Sequence, residues 1–189
     1  ATFNESEDIN LRFNKKVDGI PYDGKYIFSV MGYNFLPSEI SAAFALEQLK
    51  KLKQNINTRV KNFNKISKYF TQYENLFILP HEFKGLKTGW LAFPLIIRNQ
   101  SKLVRKNLQI YLEKNGIQTR TIFTGNILRQ PIMKSKFYKK CKDSTINSDN
   151  VMKNGILIGC HHGLSIKNID YMLSKFDLFF AKFKLKPIK

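Results

Sequence analysis

The residues best equipped for chemistry lie in one stretch, Thr119-Arg120-Thr121-Ile122-Phe123-Thr124-Gly125-Asn126-Ile127-Leu128-Arg129-Gln130-Pro131. It holds two of the chain's six arginines, with Asn, Gln and Thr side chains between them. A guanidinium forks onto phosphate or carboxylate, and amide side chains read sugar hydroxyls. The stretch therefore reads as a contact for an anionic, hydroxylated ligand, or as a loop whose arginines pair with nearby acids. His161-His162 offer nitrogens for acid–base work or metal binding. No third ligand stands at zinc spacing, so no metal site is expected, and the pair reads as shaping a turn. Trp90, the lone tryptophan, reads as a core or interface residue, or as the apolar wall of a pocket. The sequence has no Ser-His-Asp pattern, no Gly-rich phosphate loop and no Cys-x-x-Cys.

The elements around these residues follow from periodicity. Apolar residues at Ile40, Ala43, Leu46, Leu49, Leu52, Ile56, Val60, Phe63, Ile66 and Phe70 step by three and four, and no Pro or Gly falls between Ser38 and Tyr73. That pattern predicts a long helix capped by Ser38, with Glu39 at the positive end of its dipole. A helix of this length either spans two domains or bends near Asn55–Asn57. Strands are predicted at Leu76–Pro80, Leu91–Ile97, Ile117–Arg120 and Ile156–Cys160. Pro94 places the second at an edge or a bulge. Further helices are predicted over Ser101–Lys114, Ser148–Lys153 and from Ser165 to about Phe183, the last with Ile169, Met172, Leu173, Phe176, Phe179 and Phe180 inward. Residues Val17–Gly24 are dense in turn formers.

Composition narrows the class. Apolar residues make up 43 % of 189, enough for a core of its own. No apolar run is long enough for a membrane span. The first ten residues are polar and acidic, unlike a signal peptide. Cys141 and Cys160 read as free thiols of a cytoplasmic protein. The net charge of +18 raises the alternative of a basic nucleic-acid-binding module. Against it, the lysines are scattered and arginine is scarce, and Lys, Asn, Ile and Phe are abundant together, as an AT-rich genome produces. About thirty weakly patterned residues at the start suggest a chain cut from something larger.

Two stretches carry a family resemblance. Gly32-Tyr33-Asn34 running into Ser38-Glu39-Ile40-Ser41-Ala42-Ala43-Phe44-Ala45-Leu46-Glu47-Gln48-Leu49 resembles the middle of the DegT/DnrJ/EryC1/StrS-type sugar enzymes. Gly116-Ile117-Gln118-Thr119-Arg120, followed by Phe123 to Pro131, resembles the branch containing the 4-keto-6-deoxysugar 3-dehydratases. Leu11-Arg12-Phe13, Tyr22-Asp23-Gly24-Lys25-Tyr26 and His162-Gly163-Leu164-Ser165 fit the same branch. The likeness runs from about Leu11 to Phe183.

The resemblance implies an α+β chain, the C-terminal small domain of the aspartate-aminotransferase (fold type I) architecture. A long connecting helix would lead into a short, mostly antiparallel sheet with flanking helices. Residues 1–37 would be the tail of a large cofactor domain, 38–73 the connecting helix and 74–189 the small domain. The whole enzyme would use PLP or PMP on a nucleotide-linked 4-keto-6-deoxy sugar, in lipopolysaccharide sugar biosynthesis. The reaction would be removal of the C3 hydroxyl or, alternatively, 4-amination. No catalytic residue is expected in this segment: the deciding lysine or histidine would lie upstream, and the segment alone is expected to be inactive. A homodimer with shared active sites is implied, with no nucleic-acid or membrane partner. Asn34 would reach the cofactor phosphate of a neighbouring subunit, and Arg120, Asn126 and Arg129 would face the sugar nucleotide. Leu36 stands where many relatives place a basic residue, and residues 1–10 lack the cysteines of an iron–sulfur segment.

Overall fold

The structure is a computed structural model and describes residues 14–23, 27, 33, 35, 37–134 and 144–188. Asn34, Cys141 and most of the two N-terminal motif pieces lie outside these. The chain divides into two compact units, Ala1–Lys50 and Lys51–Lys189.

In the first unit, β1 (Lys15–Val17) and β2 (Ile20–Tyr22) form an antiparallel hairpin. Asp18 and Gly19 turn it with φ of 50° and 82°. Both positive values match the two-residue turn that follows strand twist, for which Asp-Gly is a preferred pair. The turn formers were legible; the strands flanking them were not expected. Helix α1 (Glu39–Thr71) begins in this unit, and its residues from Lys51 onward belong to the second. Ala42 N–H donates to Ser38 O at 3.0 Å, closing its first turn.

The second unit is built on a four-stranded antiparallel sheet in the order β3-β4-β6-β5. Its strands are β3 (Phe77–Ile78), β4 (Ala92–Ile97), β5 (Thr119–Arg120) and β6 (Gly155–Gly159). Helices α2 (Arg105–Lys114), α3 (Ile146–Asn154) and α4 (Ile166–Lys182) complete it. Strand β4 alternates between half-buried and buried residues. Its buried set, Phe93, Leu95 and Ile97, joins Ile156 and Ile158 of β6 on one face. Against that face pack Ile66 and Phe70 of α1, Leu108 and Leu112 of α2, and Phe176 and Phe180 of α4, all fully buried. Phe70 sits at the centre, with its ring 5.0 Å from Phe176 and 5.4 Å from Phe77, both edge-on. Such edge contacts add to the area these rings bury.

Pro94 points to an edge or a bulge, yet β4 lies between β3 and β6. The register resolves this. Arg98 N–H donates to Leu76 O, so even-numbered residues of β4 turn their nitrogens toward β3. That strand pairs only with Ile96 and Ile97. The nitrogen of Pro94 therefore faces a stretch where β3 does not reach, and no ladder bond is lost. Ser165 caps α4 as expected and forms a capping box with Asn168.

Candidate functional site

The arginine-bearing loop begins where β5 ends. Arg120 pairs with Leu157 across the ladder, and the chain then turns away through Thr121–Pro131. Phe123 adopts φ 46°, uncommon for a residue with a side chain, and its ring is 89 % exposed. Gly125 adopts φ 65°, and a Cβ there would lie 2.4 Å from the Cβ of Met152 on α3. Glycine is required at this point on both counts. Asn126 is buried, and its Oδ1 accepts from Leu128 N–H at 3.1 Å. This bond caps the short 3-10 turn Ile127–Arg129. Gln130 Nε2 donates back to Thr124 O at 3.0 Å, which closes the loop on itself.

Asp149 of α3 ties the loop to the domain. Asn126 Nδ2 donates to its Oδ1 at 2.7 Å. Arg129 forks onto the same carboxylate, Nε to Oδ1 and Nη2 to Oδ2, the latter at 2.6 Å. The Arg129 guanidinium and the Asn126 amide hold the Asp149 carboxyl down to about 2. Behind it, Arg105 of α2 donates to the carbonyls of Met152 and Gly155, at 2.8 and 3.2 Å. Both bonds fix the C-terminal end of α3 against β6. The structure thus brings Asn126 and Arg129 together on one acid. Arg129 commits two of its five N–H donors there and keeps the rest for a second partner.

Arg120 stands apart from that pair. It lines a groove of about 520 Å³ with Gln118, Leu157, Gly159, His161 and Tyr171, a size suited to a small-molecule ligand. The turn at one end of the groove, His161–Leu164, is held from behind by α1. Asn62, 1 % exposed, donates to His161 O at 3.0 Å and to Leu164 O at 3.2 Å. Arg59 Nε donates to His162 Nδ1 at 3.2 Å. The histidine pair does shape a turn, as the sequence implied. Among the described residues no cluster of His, Cys, Asp and Glu is arranged to hold a metal ion.

Sequence reasoning did not single out Asp149, Asn62 or Arg59. Asn62 left one signal, a polar residue immediately before Phe63 in the part of α1 where the apolar steps converge. Cys160 is fully buried, and burial pushes its thiol up to about 12. Trp90 packs against the core, its ring stacked on Phe63 at 4.3 Å and its Nε1 donating to Glu82 at 2.7 Å.

Comparison with known proteins adds a family, two relatives and one solved structure. The model of the DegT/DnrJ/EryC1/StrS aminotransferase family matches residues 4–177. Lipopolysaccharide biosynthesis protein RfbH of Salmonella typhimurium is 31 % identical over 172 residues, 90 % of this chain and 39 % of that protein. GDP-4-keto-6-deoxy-D-mannose 3-dehydratase of Escherichia coli O55:H7 is 32 % identical over 168 residues, 86 % of this chain and 42 % of the relative. A solved structure of the E. coli GDP-4-keto-6-deoxy-D-mannose-3-dehydratase with bound hydrated PLP superimposes with a TM-score of 0.70 at 30 % identity. That match covers 88 % of this chain and 43 % of the solved one. The chain spans about two fifths of the length of the relatives it matches.

Proposed function

The chain belongs to the DegT/DnrJ/EryC1/StrS aminotransferase family, and from that premise we propose that it is the C-terminal part of a PLP/PMP-dependent nucleotide-sugar enzyme. The reaction proposed is removal of the C3 hydroxyl from a nucleotide-linked 4-keto-6-deoxy sugar, in lipopolysaccharide sugar synthesis. The observation that carries this reading is the Thr119–Pro131 loop. It is the stretch that narrows the resemblance to the 3-dehydratase branch, and it is folded into one braced piece by Asp149 and Gly125.

The cofactor, when bound, supplies the electron sink for sugar chemistry of this kind. This chain's own cofactor contact would be Asn34, which lies outside the described residues. The roles proposed for the described residues are binding and orientation. Arg120 would engage the ligand's phosphates from the groove. Arg129 would do so with the donors Asp149 leaves free, and Asn126 would set the loop's curvature. A second copy of the protein would complete each active site. The 189-residue chain alone would not catalyse the reaction.

The test is an assay of the protein as encoded, supplied with PLP, glutamate and GDP-4-keto-6-deoxymannose or its CDP-glucose counterpart. Formation of a 3-deoxy sugar is the expected result. Transfer of the glutamate nitrogen to C4 would instead establish the 4-aminotransferase reading, and turnover of neither substrate would overturn both.

A further inference from the structure

His161 is set in its turn in a way that shaping a bend does not require. Its Nδ1 accepts a hydrogen bond from Gly163 N–H at 3.2 Å. A ring nitrogen that accepts is the one without the proton, so in the neutral ring the proton sits on Nε2. The ring lies between two glycines. A Cβ at Gly163 would stand 3.1 Å from Nδ1, and one at Gly159 would stand 3.5 Å from Cδ2 and 3.7 Å from Nε2. Gly159 and His161 both line the groove with Arg120, and the Cδ2–Nε2 edge is the one that lies toward Gly159. The backbone beneath is held by Asn62, whose amide donates to His161 O and Leu164 O from a fully enclosed position.

We infer that His161 is a ligand-binding residue. It presents a fixed Nε2–H donor in the groove lined by Arg120 and Gln118, and it reads a hydroxyl or carbonyl oxygen of a nucleotide sugar whose phosphates Arg120 engages. This rests on the reading of Arg120 as a nucleotide-sugar contact and adds a second, neutral donor to the same site. The pairing suits such a ligand. A guanidinium matches phosphate, whereas a tautomer-locked imidazole discriminates an acceptor oxygen from a donor.

The experiment uses the protein as encoded and has two arms. In the first, the unliganded protein with nitrogen-labelled imidazoles is examined by NMR, and His161 is expected to carry its proton on Nε2. A proton on Nδ1 overturns the inference. In the second, GDP-mannose, CDP-glucose and dTDP-glucose are titrated calorimetrically into wild type, Arg120→Ala, His161→Asn and His161→Gln. A glutamine amide reaches the Nε2 position, whereas an asparagine amide reaches only that of Nδ1. For the tightest of the three probes, His161→Asn is expected to weaken binding about tenfold, the scale of one net hydrogen bond. His161→Gln is expected to stay within about threefold of wild type. Equal loss in both variants, or loss in neither while Arg120→Ala weakens binding, overturns the role of His161 and leaves that of Arg120 standing. If wild type binds none of the three probes, the nucleotide-sugar reading of Arg120 fails and the inference falls with it.

Discussion

Two segments of the second unit reach solvent and are braced by opposite means. The Thr121–Pro131 loop is held by a charge, the Asp149 carboxylate gripped by Arg129 and Asn126. The backbone of the His161–Leu164 turn is held by a neutral, buried amide, that of Asn62, with Arg59 adding a contact to the His162 side chain. A neutral amide has no group that titrates, so its two bonds do not depend on a charge. A charged clamp on the surface weakens when its acid is protonated and when salt screens it. It is also built of groups that an incoming anion can engage directly. The loop is therefore the adaptable side of the domain and the turn the rigid side.

Substitution at Gly125 tests the loop's dependence on shape and has the largest expected effect. Alanine there must adopt a left-handed backbone and drive its Cβ into Met152, which lies 2.4 Å away. The expected loss is about 2–4 kcal/mol, from backbone strain plus overpacking, seen as a lower urea midpoint with an unchanged slope. A midpoint within error of wild type would mean that α3 yields freely and that the loop is not braced by it.

Next comes Asn62→Ala. It strips two carbonyls of their donor inside the protein, at an expected cost of about 1–3 kcal/mol. Hydrogen exchange should quicken in the His161–Leu164 turn and stay unchanged at Leu128 N–H. Equal quickening at both places would erase the distinction between the two braces.

The smallest effect is the most discriminating. Asp149 sits at about 2 against an ordinary 3.8. A depressed carboxyl contributes stability that is complete above its unfolded value and is lost as pH falls through its folded one. Loop protection should therefore hold down to about pH 4 and fade toward pH 2, following the Asp149 carboxyl resonance. Protection of the turn should not change across the same window. A loop that stays protected at pH 2 would show that Gly125 and Gln130 suffice without the ion pair.

Much of this architecture can be read from sequence because it is local. Ser165 and Asn168 are three residues apart, and the capping box they form is a short-range pattern. The alternation of β4 and the apolar face of α4 are equally local. What escaped is long-range. Asn62 meets its carbonyls across roughly a hundred positions, and Asp149 meets Asn126 across twenty-three. No periodicity marks such partners. Helix α1 shows the limit in one element: its apolar steps run throughout, yet Ile66 and Phe70 are fully buried whereas Ile40 and Leu49 are 83 % and 62 % exposed. The pattern marks a face able to pack without naming what packs on it. For the sites, Arg120, Asn126 and Arg129 were visible as residue types. That Asn126 and Arg129 share one acid while Arg120 enters a separate groove was not.

The stacking of Trp90 on Phe63 gives the domain a built-in optical reporter. The lone indole touches α1 through its ring and the loop before β4 through Glu82. Its emission therefore comes from the seam where helix meets sheet, undiluted by any other tryptophan among these 189 residues. Separation of that seam moves the indole into water and shifts its light to the red, so docking of α1 can be timed apart from the events at either solvent-facing segment.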